Sequence, residues 1–431
     1  MEFNTENLQS QIDFLFTALG EQPSVTTDSR SVRQGDIFFA LRGDNFNGNI
    51  YAMDALNQGA AYAVVDDENY ALDERCLLVK DSLLVLQKLA NRHRRSMPDL
   101  KVLAITGTNG KTTTKELCHA VLSQKYNVIA TTGNLNNHIG VPLTLLRITK
   151  MTEIAIVEMG ANHIGEIAAL CKIAEPTHGL ITNIGKAHLE GFGTLEGVYR
   201  AKTELFSYLN KNMKTCIINL NDDMLKNYNK TIGYQRVEYY TPPSAHHDHA
   251  QVDIYGITVK SRLIGSYNEQ NIMAAMTVGK IFKVGKEAAA HAIENYEPSN
   301  HRSQIKKTDN NTLILDCYNA NPSSVEVALK DFIANIAINQ VVCLGAMREL
   351  GKKSSKEHKK VIELLKTGSF YKIILVGEEF KEFDDKTIKN LLWFADSQGA
   401  KEYILENPLR HSTVLIKGSR STKMEILEDA L

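Results

Sequence analysis

Val102-Leu-Ala-Ile-Thr-Gly-Thr-Asn-Gly-Lys-Thr-Thr113 reads as an apolar strand, a glycine turn and a helix opening on Thr112 and Thr113. Such a turn aims backbone N–H groups of the loop and of the first helical turn at one spot, where the helix dipole favours negative charge. Lys111 adds a positive charge for a terminal phosphate, and the Thr112 hydroxyl suits Mg²⁺. The commoner G-x-x-x-x-G-K-[ST] pattern would place its first glycine at Ile105. Here the glycines are Gly107 and Gly110, in a shorter Thr-Gly-Thr-Asn-Gly-Lys-Thr form. The stretch predicts a cradle for nucleotide phosphates.

Around it lie 431 residues, enough for two to four domains. Hydrophobic content of 43% with 23% charged residues suits a soluble globular chain. A net charge of -1 offers no argument for nucleic acid or membrane binding. Six cysteines are scattered without a C-x-x-C pair, which suits reduced thiols rather than disulfides or zinc. The polar first residues show no secretory signal, and no run approaches the roughly 18 apolar residues of a membrane span. A cytoplasmic monomer is expected.

Three regions follow from the pattern: 1–81, 82–299 and 300–431. The first is a small α/β unit with strands over 36–41 and 61–65 and a helix over 51–58. Its Asp28-Ser-Arg30 reads most simply as a capped turn. The second opens on a helix over 82–95 and, after the phosphate turn, a helix over 113–126. Strands at 128–132, 153–159, 178–184 and 215–219 then alternate with helices. That alternation predicts a mostly parallel sheet covered on both faces, with ligands at the carboxyl ends of its strands. An excursion over 222–266 reads as β-rich and irregular, and its His246, His247 and His249 as a solvated turn rather than a metal site. The third region is a doubly wound α/β pattern: strands at 313–317, 341–344, 372–376, 391–394 and 413–417, helices at 324–336 and 357–366, and a closing helix at 423–431. It has no G-x-G-x-x-G, so a dinucleotide is not indicated.

The residues just past the strand ends carry the chemistry. Glu158 ends the apolar run Ile154-Ala-Ile-Val, where a carboxylate faces a nucleotide's Mg²⁺. His188 follows the next strand and suits a metal or phosphate contact. Lys202 lies on a helix; as an ammonium it would repel a divalent cation, so its role stays open on these grounds. Asn268 and Asn271 share one helix face. Asp316 and the loop Cys317-Tyr-Asn-Ala-Asn-Pro322 suit a nucleotide arriving from another domain, and Lys417-Gly-Ser-Arg-Ser421 suits an anion.

Together these pieces resemble the Mur ligase superfamily, in the branch of MurF type that adds D-alanyl-D-alanine. The resemblance rests on Thr106-Gly-Thr-Asn-Gly-Lys-Thr-Thr113, Gly133-Asn-Leu-Asn-Asn-His-Ile-Gly-Val-Pro142, Glu158-Met-Gly-Ala-Asn-His163 and His188-Leu-Glu-Gly-Phe-Gly193. It continues through Ala201-Lys-Thr-Glu-Leu-Phe206, Asp316-Cys-Tyr-Asn-Ala-Asn-Pro322, Leu344-Gly-Ala-Met-Arg-Glu-Leu-Gly351 and Lys417-Gly-Ser-Arg-Ser421. It implies an N-terminal domain for a UDP-N-acetylmuramoyl-tripeptide, a central P-loop ATPase and a C-terminal Rossmann-like domain. The implied reaction is ATP-dependent: the tripeptide carboxylate captures the γ-phosphate, and the amine of D-Ala-D-Ala then displaces phosphate. It also implies Mg²⁺ on Thr112, Glu158, His188 and a carbamylated Lys202, which would turn the repelling ammonium into an oxygen ligand. ATP would meet Gly107, Thr108, Asn109, Gly110, Lys111, Thr112, Thr113, Asn271, Arg302 and Asp316. Substrate would meet Ser29, Arg30, Asn134, Asn137, Asn319, Asn321, Lys417, Ser419 and Arg420.

Two departures stand out: Tyr267 where the family more often has His, and His301-Arg-Ser303 for the usual Gly-Arg, which implies a stiffer hinge. The alternatives are another ligase of the superfamily, a small-molecule P-loop kinase and a catalytically dead nucleotide-binding regulator. The asparagine-rich 133–138 segment argues against the first. A kinase would release a stable phosphorylated product.

Overall fold

A computed structural model describes residues 7–20, 24–231, 233, 235–241, 249–298, 302–335, 339–383 and 388–431. The strand that leads into the phosphate turn, Lys101–Thr106, is buried at every position but the first. A strand apolar on both faces belongs inside a sheet covered on both sides. Its sheet runs Arg236–Tyr239, Thr215–Asn219, His178–Ile181, Lys101–Thr106, Ile154–Glu158, Val128–Ala130, all parallel. Side chains alternate between faces. Leu103 and Ile105 therefore pack under the helices Lys111–Leu122 and Tyr267–Ile281. Val102 and Ala104 pack on the other side, with Leu86, Ile167 and Leu205. The strands that follow Lys101–Thr106 are laid first on one side of it and then on the other, and such a reversal opens a crevice at the carboxyl edge.

A four-stranded parallel sheet lies N-terminal to this: Val25–Thr26, Ile37–Phe39, Tyr62–Val65 and Cys76–Leu78. Its Phe39 and Val64 join the same apolar core as Leu89 of the helix Ser82–Arg95 and Val157 of the central sheet. The third sheet runs Gln304–Lys307, Asn311–Asp316, Ser412–Lys417, Gln340–Gly345, Lys372–Val376, Leu391–Phe394, and only its first pair is antiparallel. Its two faces have their own cores, and from the central region Leu189 enters one of them. The chain is thus α/β, with three larger sheets and two two-stranded ones among the described residues.

Several elements differ from the sequence reading. The 222–266 excursion begins with a helix, Asp223–Asn229, whose cap Asp222 accepts two backbone N–H groups. Arg236–Tyr239 extends the central sheet, and only Gln251–Ile254 and Ile257–Lys260 form a separate hairpin. The closing segment Met424–Ala430 is a 3-10 helix, not an α-helix. The helix Ser397–Glu406 and the strand Gln304–Lys307 went unread. His246, His247 and His301 lie outside the described residues, and His249 is exposed. No helix among the described residues is long and apolar enough to cross a membrane.

Candidate active site

Gly110 has φ 76 and is the N-cap of Lys111–Leu122 without a side-chain cap, so the N–H groups of the first turn stay available to an anion. Gly107 is needed for another reason. At φ +142, a Cβ there would stand 2.0 Å from Thr182 Oγ1 on the neighbouring strand. Gly107→Ala is expected to cost roughly 1–3 kcal/mol in chemical denaturation, from backbone strain and overpacking. The turn is further fixed by Thr182 Oγ1 donating to the Asn109 carbonyl at 2.6 Å and by Asn109 N–H donating to Asn183 Oδ1 at 3.0 Å.

Lys111 Nζ donates to the carbonyls of Gly107 at 2.9 Å and Thr108 at 3.0 Å. Its burial pushes the ammonium toward the neutral form, Glu158 opposes that shift, and Arg302 adds to it. The Thr114 hydroxyl donates to Asn271 Oδ1 at 3.0 Å, and Asn271 Nδ2 donates to Asn268 Oδ1 at 2.8 Å. The asparagine pair therefore braces the turn from behind.

A cleft of about 1010 Å³ opens at this sheet edge. Thr108, Asn109, Gly110, Lys111, Thr112, Thr113, Asn134, Asn137, Glu158, His188 and Asn271 line it from the central region. Arg302, Asp316, Asn319, Asn321 and Lys417 line it from the C-terminal one. The two regions touch across the cleft. Asn321 Nδ2 donates to Asn109 Oδ1 at 2.7 Å, and Lys186 N–H donates to Ser323 Oγ at 2.8 Å. Strand register places Asp316 beside Lys417, and their side chains meet at 2.5 Å.

Other expected residues are engaged locally or lie away from the cleft. Ser419 is buried and its Oγ accepts the Arg348 N–H. Arg420 lies 5.8 Å from the Tyr318 ring, over which Arg302 also stacks at 3.7 Å. Asn137 Oδ1 accepts the N–H groups of Ile139 and Gly140, a local capping role. Ser29 and Arg30 form a turn on the N-terminal sheet, away from the cleft. There the Arg30 guanidinium pairs with Asp28 and holds its carboxyl down at about 2.

Glu158 is buried, with Oε1 accepting from Asn136 Nδ2 at 2.8 Å while Oε2 has no hydrogen-bond partner. Lys115 Nζ, fully buried, stands 3.9 Å from Oε2 and donates to the Thr131 carbonyl at 2.7 Å. Asn136, Lys115 and Tyr318 were missed as site residues. The pair Glu158 and Asn136 was findable only as a polar loop beside a strand-end acid.

His188 stands at φ 48, its Nδ1 pressed against Glu349 of the C-terminal region. Lys202 is buried, with its Nζ 3.4 Å from the Ala161 carbonyl and 5.4 Å from the centre of the Phe192 ring, and is pushed down to about 7 by burial, helped by Lys111.

No three His, Cys, Asp or Glu side chains come together as a metal site among the described residues. The donors present still fit Mg²⁺. It takes one or two protein oxygens and completes its shell with water and phosphate, and the unpartnered buried Oε2 of Glu158 beside the phosphate turn is such an oxygen.

Comparison with known proteins agrees. The chain matches the Mur ligase family, catalytic domain over residues 23–94, the Mur ligase middle domain over 105–279 and the Mur ligase, glutamate ligase domain over 301–420. It is 34% identical to the UDP-N-acetylmuramoyl-tripeptide--D-alanyl-D-alanine ligase of Escherichia coli, covering 95% of this chain and 93% of that one. The structure superposes on MurF from Acinetobacter baumannii with a TM-score of 0.86 at 28% identity, over 99% and 98% of the two chains. It also superposes on MurF ligase from Thermotoga maritima in complex with ADP, with a TM-score of 0.82 at 25% identity over 94% and 96%. A phosphate cradle, a strand-end carboxylate and a third sheet closing over both are assembled here from a chain that belongs to the Mur ligase family.

Proposed function

We propose that the chain joins D-alanyl-D-alanine to a UDP-N-acetylmuramoyl-tripeptide, using ATP, in the making of cell-wall peptidoglycan. The observation that carries it is the cleft itself. The phosphate turn and Glu158 face Asp316, Lys417 and the Asn319–Asn321 loop across one space, and a single chain builds it. On this reading the working unit is a monomer, and a cytoplasmic one, where its nucleotide substrates are found.

The first step joins two anions, so it needs positive charge at the phosphates. Lys111 and the first-turn N–H groups supply it. The tripeptide carboxylate oxygen bonds to the γ-phosphorus, the bond to the β-phosphate oxygen breaks, and ADP departs. The amine nitrogen of D-Ala-D-Ala then bonds to the acyl carbon, phosphate leaves with the oxygen, and the amine loses a proton. Contact between the two regions keeps water from the acyl phosphate. Mg²⁺, when bound, screens the phosphates and polarises the γ-phosphoryl group. Thr112 and Glu158 would hold one ion; Glu158, His188 and Lys202 as its carbamate would hold another. A lysine pushed down to about 7 is in substantial part a free amine at neutral pH, and a free amine adds CO₂ with loss of a proton. We assign the UDP-sugar to residues 1–81 with Ser29 and Arg30, the ATPase to 82–299 and the closing domain to 300–431. Asn134, Asn319, Lys417 and Arg420 would face substrate.

Incubation with ATP, Mg²⁺, D-Ala-D-Ala and a UDP-tripeptide ending in diaminopimelate or lysine, followed by mass spectrometry, tests this. Amide product and phosphate release that depends on D-Ala-D-Ala are expected. A stable phosphorylated product formed without D-Ala-D-Ala would identify a kinase instead.

A further inference from the structure

The segment Leu344-Gly-Ala-Met-Arg-Glu-Leu-Gly351 leaves the carboxyl end of strand Gln340–Gly345 and has no part in the steps above. It crosses to the central region. Glu349 Oε2 is pressed against Nδ1 of His188, and the Glu349 carbonyl accepts the Glu190 N–H at 3.1 Å. Lys353 Nζ donates to the Gly193 carbonyl. On its other side the segment is held by Arg348 N–H, which donates to Ser419 Oγ at 3.1 Å. It therefore ties the Lys417-Gly-Ser419 turn to the His188 loop.

Both partners of the side-chain contact adopt left-handed backbone, with φ 48 at His188 and φ 61 at Glu349. Residues with a Cβ take that conformation at a cost and hold it where the surroundings over-determine it. Here two such residues on facing loops meet at one contact. Nδ1 of His188 is buried and makes no hydrogen bond of good geometry, and the Glu349 carboxylate is the acceptor that stands against it. A histidine that serves a metal usually presents its other ring nitrogen to a carboxylate, which fixes the tautomer and the ring plane. With Nδ1 against Glu349, Nε2 is the nitrogen left for a cation.

We infer that Glu349 is a positioning residue: its carboxylate orients the His188 imidazole across the boundary between the two regions. His188 then becomes a competent ligand only while the C-terminal region is in contact. This rests on the cation role given to His188 above.

The test uses the full chain, with Mn²⁺ as probe in the presence of ADP, free Mn²⁺ being read by electron paramagnetic resonance. His188→Ala is the reference and should lose a Mn²⁺ site that the wild type has. Glu349→Gln should weaken that site by about tenfold to a hundredfold, and Glu349→Asp should recover part of the loss. Metal-free ADP affinity and the melting temperature should stay at wild-type values, because the Glu349 side chain is 52% exposed. Wild-type Mn²⁺ affinity in Glu349→Gln, with the site lost in His188→Ala, overturns the inference alone. An equal loss of metal-free ADP affinity in Glu349→Gln also overturns it, since the residue would then be a structural latch. Unchanged Mn²⁺ binding in His188→Ala overturns the cation role of His188 and the inference with it.

Discussion

Lys111→Ala should lower the rate of amide formation roughly a thousandfold, the scale on which removal of one preorganised charge from a reacting centre is felt. Its fold should survive. The ammonium is buried, and burial already disfavours its charge. Its two partners are carbonyls of its own turn, Gly107 and Thr108, which the substitution leaves in place. The melting temperature should therefore not fall, so rate and stability part company. Lys111→Arg should not rescue, since the turn grips a compact ammonium and a guanidinium is planar and larger. A rate of about a tenth of wild type or more in Lys111→Ala would remove the residue from the phosphate role.

The second large effect belongs to Lys202. Lys202→Ala should lose about a hundredfold or more in rate. Added formate or acetate should restore part of it, by placing a carboxylate where the carbamate stands. Wild-type enzyme held in CO₂-free buffer below pH 7 should lose activity and regain it with bicarbonate once returned to a pH above that value. The direction follows from a lysine pushed down to about 7: below that pH the nitrogen is protonated and cannot add CO₂. Stability moves the same way. In the unfolded chain a lysine keeps its proton to about 10.4. Between about 7 and that value the unfolded state binds more protons, so stability rises with pH across this window. Full activity in Lys202→Ala, untouched by bicarbonate or short carboxylic acids, would exclude the carbamate.

Much of this was legible in the chain. The phosphate turn, Glu158 and the strands beside it announce themselves because apolar strands must end where polar chemistry begins. Asp316 and Lys417 were each visible as strand-end charges, but their pairing was not, because it depends on which strands neighbour each other in the third sheet. Lys115 carries no local signal on its helix, and tertiary packing buries it under the Thr131 and Gly133 carbonyls. Glu349 stood inside the quoted stretch Leu344–Gly351 with no role attached to it; its meaning comes from a contact 161 positions away in sequence, with His188. The helix Ser397–Glu406 escaped because Gly399 and its polar neighbours weaken the local signal, while Asp396, accepting the Gly399 N–H, starts it. The closing turn was misread because apolar spacing alone does not separate a 3-10 from an α-helix.

The first two sheets share one apolar core, whereas the third has cores of its own and meets the rest largely through polar contacts. Mechanically the molecule is then an anvil and a jaw. With the sugar-nucleotide bound as proposed above, the anvil would hold it and the phosphate turn at a fixed span and so act as a ruler for the length of peptide between the uridine and the reacting carboxylate. The jaw can lift without disturbing that ruler, because the contacts broken when it moves are largely polar ones that water can replace, while Leu189 withdraws from the apolar core it enters.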